Sequence, residues 1–240
     1  MAHRLYIVEG LPCTGKSTTA RYIASLLKGD VRCVDEGTGE HPADYEWHAL
    51  DPATGRVTAL AGLPEAEVAR LLPHKIYDGL PWETEAPLML EKWRAFAAQA
   101  EATHVFNCVL LQNPLCETMM RFDLPEEETR RHVAAIAEII RPLSPMVIYL
   151  QCSDIAAAVR SAAEERPGWL EAVIAYHTQG AYGRRTGAAG FEGYVACLEA
   201  RQAREMRVLP SLGIDYAILP DARLDWPAAR EALRGMIPSE

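Results

Sequence analysis

The chain has 240 residues, 49% of them hydrophobic and 24% charged, with a formal net charge of −9. That length and balance fit a single globular domain with a substantial core and exclude a wholly disordered chain. The acidic excess excludes broad electrostatic binding to nucleic acid or an anionic membrane, while leaving room for a local basic pocket.

Lys and Arg gather in two stretches, residues 160–185 and 201–207. The six cysteines, at 13, 33, 108, 116, 152 and 197, include no Cys-x-x-Cys pair and no histidine at zinc-finger spacing. They read as reduced core residues of a cytosolic protein. Residues 1–9 lack the apolar core of a signal peptide, and no apolar run approaches the ~20 residues of a membrane span. The expected location is the cytoplasm.

In chain order, RLYIVE at 4–9 is a buried parallel strand stopped by a glycine. From Lys16, apolar residues at 20, 23, 24 and 27 mark one face of a helix that Gly29–Asp30 ends. Residues 31–34 form a second strand closing on Asp35–Glu36. Residues 37–85 are rich in Pro, Gly, Trp and Asp. They read as short helices and a hairpin about 52–55, built over the mouth of the sheet, because so long a structureless loop does not suit a compact domain. A helix follows over 86–100, then a third strand over 105–111 with Gln112–Asn113–Pro114 as its exit turn. Residues 126–141 form a helix, 146–150 a fourth strand, and 155–165 a helix. Residues 166–193 carry many glycines and arginines; 191–209 are helical, 216–219 a last strand, and 227–236 a final helix. Alternating strands and helices give an α/β fold, a mostly parallel central sheet with helices on both faces.

The strong chemical signal is Gly10–Leu11–Pro12–Cys13–Thr14–Gly15–Lys16–Ser17, which satisfies G-x-x-x-x-G-K-[ST] between a strand and an amphipathic helix. At average residue frequencies its four fixed positions match by accident in roughly one chain in a hundred of this length. Glycines let successive backbone N–H groups turn inward as an anion nest, and the helix N-terminus adds its dipole. Lys16 supplies a positive charge for the β- and γ-phosphates, and Ser17 Oγ a hard ligand for Mg²⁺. The candidate nucleotide contacts are Gly10, Cys13, Thr14, Gly15, Lys16, Ser17 and Thr18.

On YIVEGLPCTGKSTTARYIA the chain resembles the nucleoside and nucleotide kinases of the P-loop NTPase fold, specifically thymidylate-kinase-like proteins. The likeness continues weakly through VDEGTGEHPADYE, MVIYLQCSDIAAAVR and an Arg/Gly-rich segment. It implies a three-layer fold, one kinase-like domain over 1–240 with an acceptor-side insertion at 37–85, and a lid-like segment at 160–195. It also implies ATP and Mg²⁺ as cofactors and a small-molecule acceptor as partner. Asp35 or Glu36 would orient or deprotonate the acceptor. Arg160, Arg184 and Arg185 would neutralise the phosphoryl group in transit, as a planar guanidinium can. Arg166 is a further basic candidate.

The chain departs from that family at its third strand, VFNCVLLQNP, where Asn107, Gln112 and Asn113 stand and no acid does. His41, Tyr45, Trp47 and His48 form a polar-aromatic cluster able to floor an acceptor pocket. Glu126, Glu127 and Glu128 need no chemistry, being favourable charges at a helix N-terminus.

The residues thus point to an ATP-dependent phosphotransferase acting on a nucleoside, nucleotide, antibiotic or similar hydroxylated acceptor. A nucleotide-driven switch or NTPase and an inactive scaffold are the competing readings. No Asn-Lys-x-Asp guanine signature is present. Oligomeric state is left open.

Overall fold

Strand β1, Leu5–Gly10, is buried at all six positions, and its side chains divide by the two-residue period of a strand. Leu5 and Ile7 join a cluster with Trp93, Phe96, Val133 and Ile136, while Tyr6 and Val8 join another with Ala20, Ile23, Ala229 and Leu233. A strand apolar on both faces belongs at the centre of a covered parallel sheet. There β1 pairs in parallel with β5, Thr103–Asn107, on one side and with β6, Pro145–Gln151, on the other.

The computed structural model describes residues 3–37 and 40–237, so Thr38 and Gly39, within the VDEGTGEHPADYE stretch, lie outside the described residues. The outer strands of the sheet are β2, Val31–Val34, and β7, Asp215–Pro220, giving the order β2-β5-β1-β6-β7 with every pairing parallel. A two-stranded antiparallel hairpin stands apart, β3 at His48–Leu50 and β4 at Val57–Ala59, about the turn expected near 52–55.

The helices are α1 Lys16–Leu26, α2 Glu65–Leu71, the short turn α3 Ile76–Gly79, α4 Trp82–Gln99 and the single turn α5 Gln112–Leu115. They continue with α6 Glu126–Ile140, α7 Ile155–Glu165, α8 Trp169–Thr178, α9 Ala181–Thr186, α10 Gly190–Val208 and α11 Trp226–Met236. The protein is therefore α/β, with α4 and α6 packing in the first cluster and α1 and α11 in the second. Among the described residues no helix is long and apolar enough to cross a membrane.

Three segments differ from the sequence expectation. The third strand stops at Asn107, because Cys108 and Val109 both adopt left-handed backbone, φ 63° and 85°, which no strand continues through. The exit turn Gln112–Asn113–Pro114 folds as α5, and beyond it lies a π-helix over Cys116–Arg121, in which Phe122 N–H donates to Glu117 O at 3.0 Å. The Gly/Arg stretch after residue 166 folds as α8 and α9. The α8 residues Trp169, Leu170, Val173 and Ile174 pack with Leu11, Val159 and Leu198 in a third cluster, so apolar burial, not glycine content, set its structure.

His41 is absorbed by this core. It is 4% exposed, its ring stands 4.5 Å edge-on from that of Phe106, and its Nδ1 accepts the Ala43 N–H at 3.1 Å. That hydrogen bond requires a neutral ring. Burial, with the charges of Lys92 and His104, pushes its pKa down to about 3. A group so depressed contributes stability present above its unfolded value near 6.5 and lost as pH falls toward the folded value. Urea unfolding of the wild type is expected to weaken between pH 7.5 and 5, and the His41→Gln variant, less stable at pH 7.5, should lose less over the same interval. An equal loss in both would remove His41 as a source of the acid sensitivity.

Candidate functional site

All five parallel strands end on one edge of the sheet, and their carboxyl ends bring the chemically capable residues together. At the end of β1 the chain turns through Gly10, φ 140°, Cys13, φ 72°, and Gly15, φ 96°. A Cβ on Gly10 would stand 2.6 Å from the Leu150 carbonyl oxygen, and one on Gly15 2.8 Å from the Trp226 ring. Both glycines are therefore demanded by dihedral and by space. Thr14 Oγ1 closes the loop by donating to Leu11 O at 2.9 Å.

Lys16 opens α1 and is only 8% exposed. Its Nζ donates to Gly10 O and Leu11 O, each at 3.0 Å, and it forms no ion pair among the described residues. A buried ammonium satisfied by backbone carbonyls alone keeps most of its charge uncompensated, which the helix dipole beside it does nothing to cancel. The loop thus sets a buried positive charge at a helix N-terminus.

Glu9, one residue before the loop, was not singled out from the sequence. Fully buried, it accepts the N–H groups of Leu110 at 2.7 Å, Leu111 at 2.9 Å and Gln112 at 3.3 Å. Burial pushes its pKa up to about 7, against the opposing pull of the Leu111 and Leu110 N–H groups and Lys16. Its signal was an acid closing an otherwise apolar strand.

The turn that Glu9 holds begins where Asn107 meets the loop. Asn107 Nδ2 donates to Ser17 Oγ at 2.9 Å and to Asp35 Oδ1 at 3.4 Å. Arg21 Nη2 donates to the other Asp35 oxygen at 2.7 Å. Asp35, Asn107 and Ser17 thus form one polar chain at the foot of α1, and Ser17 Oγ retains a lone pair. Glu36 faces elsewhere, into a cavity, and accepts from Gln112 Nε2.

That cavity has a volume of about 490 Å³ and is lined at one end by Cys13, Gly15, Lys16, Ser17 and Thr18. Glu36, Glu46, Asp78, Glu117, Lys75, Trp169 and Tyr176 also line it, with Arg166 and Arg201 in its wall. A second cavity, about 300 Å³ and largely apolar, lies against Cys13 and Thr14 on the other side and is bounded by Cys152, Ala157, Ala222 and Leu224. Leu224, 82% exposed, stands at its rim. The loop therefore separates a polar, charged chamber from an apolar one.

Of the sequence candidates, Cys13, Gly15, Lys16, Ser17, Thr18 and Glu36 meet in the polar cavity, while Gly10 and Thr14 shape the loop. Asp35 is linked to Ser17 only through Asn107 and lies outside the cavity lining. Arg160, Arg184 and Arg185 do not line it. Arg160 lies over the Phe191 ring at 4.7 Å, Arg184 donates to the Gln179 carbonyl, and Arg185 Nη2 donates to Asp123 at 2.9 Å. The apolar side of this helical segment packs inward, leaving these three guanidinium groups on its outer surface. Nor do the aromatics of the 41–48 cluster line the cavity. Tyr45 stands edge-on to His48 at 5.2 Å, and Trp47 lies under Lys75 at 5.0 Å; Glu46 is the residue of that stretch that reaches the chamber. Arg201 could have been found: Tyr194, Leu198, Arg201 and Glu205 fall on one buried stripe of α10, where an arginine is out of place. Its Nε lies 3.0 Å from Glu205.

No protein-family model matches the chain, and no curated protein matches it by sequence. Among solved structures it is similar to the crystal structure of YorR protein from Bacillus subtilis in complex with phosphorylated GDP, at 13% identity over 97% of this chain and 94% of that one, with a TM-score of 0.49.

The glycine requirement at the loop has a measurable consequence. Gly10→Ala combines an unfavourable dihedral with collision against backbone and should cost about 2–4 kcal/mol in urea unfolding. Gly29→Ala, at φ 86° with open space around it, should cost only the dihedral term, ~1–2 kcal/mol. Equal costs would show that the Leu150 contact does not constrain the loop.

Proposed function

We propose that this protein is an ATP-dependent small-molecule phosphotransferase of the P-loop kinase class, transferring the γ-phosphoryl group of Mg·ATP to a hydroxylated acceptor. The observation that carries this reading is the buried, unpaired Lys16 ammonium inside a loop whose backbone is turned by Gly10, Cys13 and Gly15, set between an apolar cavity and a polar one. The apolar chamber suits a nucleobase, with Leu224 at its rim. The loop suits the phosphates, and the polar chamber suits the acceptor.

Lys16 and the loop amides would hold the phosphates and stabilise charge moving toward the β–γ bridging oxygen. Ser17 Oγ, steered by Asn107 and through it by Asp35, would hold Mg²⁺, which when bound withdraws charge from the phosphate oxygens. Glu36, facing the polar chamber, is the carboxylate placed to take the acceptor proton. As it does so, the acceptor oxygen bonds to phosphorus and the bond to the ADP oxygen breaks. Arg166 in the cavity wall takes the neutralising role that the sequence reading gave to Arg160, Arg184 and Arg185. The helices α7 to α9 over residues 160–195 would act as the lid, and residues 37–85 as the acceptor-side insertion. Covering the chamber would keep the phosphoryl group from water.

The test is ADP release from Mg·ATP across nucleosides, nucleoside monophosphates and hydroxylated antibiotics. Acceptor-dependent release is expected for the wild type and should be lost in Lys16→Ala. Glu36→Gln should lower kcat by about 10²-fold with the ATP KM little changed, the size of a removed general base. Release that ignores every acceptor yet disappears in Lys16→Ala would instead identify an NTPase.

A further inference from the structure

The Glu9 carboxyl group is fully buried, and it forms no ion pair among the described residues. The groups that face it come from four elements. Lys16 on α1 favours its charge but directs its ammonium to the Gly10 and Leu11 carbonyls. Glu205 on α10 opposes that charge, and is itself paired with Arg201 at 3.0 Å. Tyr149 on β6 donates its hydroxyl to Glu205 at 2.5 Å, and the Cys108 thiol belongs to the turn that Glu9 holds; burial keeps both neutral. A buried carboxylate held by backbone N–H groups and no cation is one whose two protonation states lie close in energy.

Its two oxygens are not equivalent. Oε1 accepts from Leu110 at 2.7 Å and Leu111 at 2.9 Å, while Oε2 accepts from Gln112 alone, at 3.3 Å. A proton taken up from water therefore goes to Oε2, because on Oε1 it would set a third donor against two short N–H bonds. A carboxyl hydroxyl accepts more weakly than a carboxylate oxygen, since the bond loses its charge assistance. Gln112 N–H has no other acceptor among the described residues.

Gln112 is also the residue through which such a change would reach the site. It opens α5, a single turn whose N-terminus has no side-chain cap, and its Nε2 donates to Glu36 in the polar cavity. One helical turn supplies little cooperative support of its own to hold that residue in place.

We infer that Glu9 is a proton-controlled positioning residue: ionised, it holds the Gln112 backbone and so the Gln112 side chain against Glu36; protonated on Oε2, it releases the Gln112 N–H and keeps its bonds to Leu110 and Leu111. Burial raises its pKa to about 7, which brings the change within the ordinary range of pH. The inference does not depend on the phosphotransferase reading, because the switch is read without nucleotide or acceptor.

The experiment is an NMR titration of the isotopically labelled full chain between pH 5.5 and 8.5. The Glu9 side-chain carboxyl carbon and the Gln112 backbone N–H should titrate with one shared midpoint near 7, the N–H moving upfield as pH falls. The Leu110 and Leu111 N–H signals should move less, and the Gln112 side-chain amide should follow the same midpoint. These signals are read on the wild type, so the outcome stands even where a Glu9 variant fails to fold. Glu9→Gln, uncharged at every pH, should abolish the Gln112 titration. Glu36→Gln, which removes the other carboxyl that Gln112 meets, should keep it. A Gln112 N–H indifferent to pH, a midpoint different from that of the Glu9 carboxyl carbon, or a Leu110 signal that moves further than that of Gln112 would each overturn the inference. A titration lost in Glu36→Gln would assign it to Glu36 and overturn it as well.

Discussion

The fully buried carboxyl group of Glu9 ties the central strand to the backbone of its neighbour. By accepting three N–H groups from Leu110, Leu111 and Gln112, it satisfies donors that the left-handed turn at Cys108 and Val109 strips from any sheet or helix. Remove that acceptor and three buried amides lose their partner together, each at a cost of about 1–3 kcal/mol. The turn in turn sets where β5 ends, and so where Asn107 meets Ser17 and where Gln112 meets Glu36. The Gly10–Ser17 loop and the polar chamber are registered to one another through this single side chain.

Around that point, the fold sorts charge by environment. The loop holds Lys16 without an ion-pair partner among the described residues, and the chamber beyond it sets Glu36, Glu46, Asp78 and Glu117 beside Lys75, Arg166 and Arg201. Neither would be stable in an apolar interior without compensation. Backbone carbonyls compensate Lys16 in the loop, amide groups compensate Glu36 and Glu46, and Arg121 bridges Glu85 and Glu117 behind the wall.

How much of this was legible from the residues alone varied with the range of the interaction. The shape and place of the loop were legible, because their requirements are local: glycines for left-handed turns, a lysine and a serine at the head of a helix. Glu36 was legible as a strand-end acid. The arginines were not, because whether Arg160 or Arg166 enters a cavity depends on which face of α7 and α8 finds apolar neighbours, and that is settled against Leu11 and α10. The π-helix at Cys116–Arg121, which brings Cys116 and Glu117 to the chamber wall, also has no short-range pattern to announce it. His41 looked like a pocket residue by type, and its burial against Phe106 could be known only once residues 65 positions apart were in contact.

The sequence by itself determined the α/β architecture, the five sheet strands, the flanking helices and the glycine-turned loop between β1 and α1. Each of these follows from periodicity, turn chemistry or a motif within a dozen residues. Tertiary structure alone decided the strand order, the partition of the site into an apolar and a polar chamber, and which charges face inward. Those outcomes depend on pairings between distant segments, where a side chain's role is set by the partner it finds after burial and not by its own chemistry. Glu9 is the plainest case, an acid whose function was invisible until the backbone 101 residues later turned to meet it.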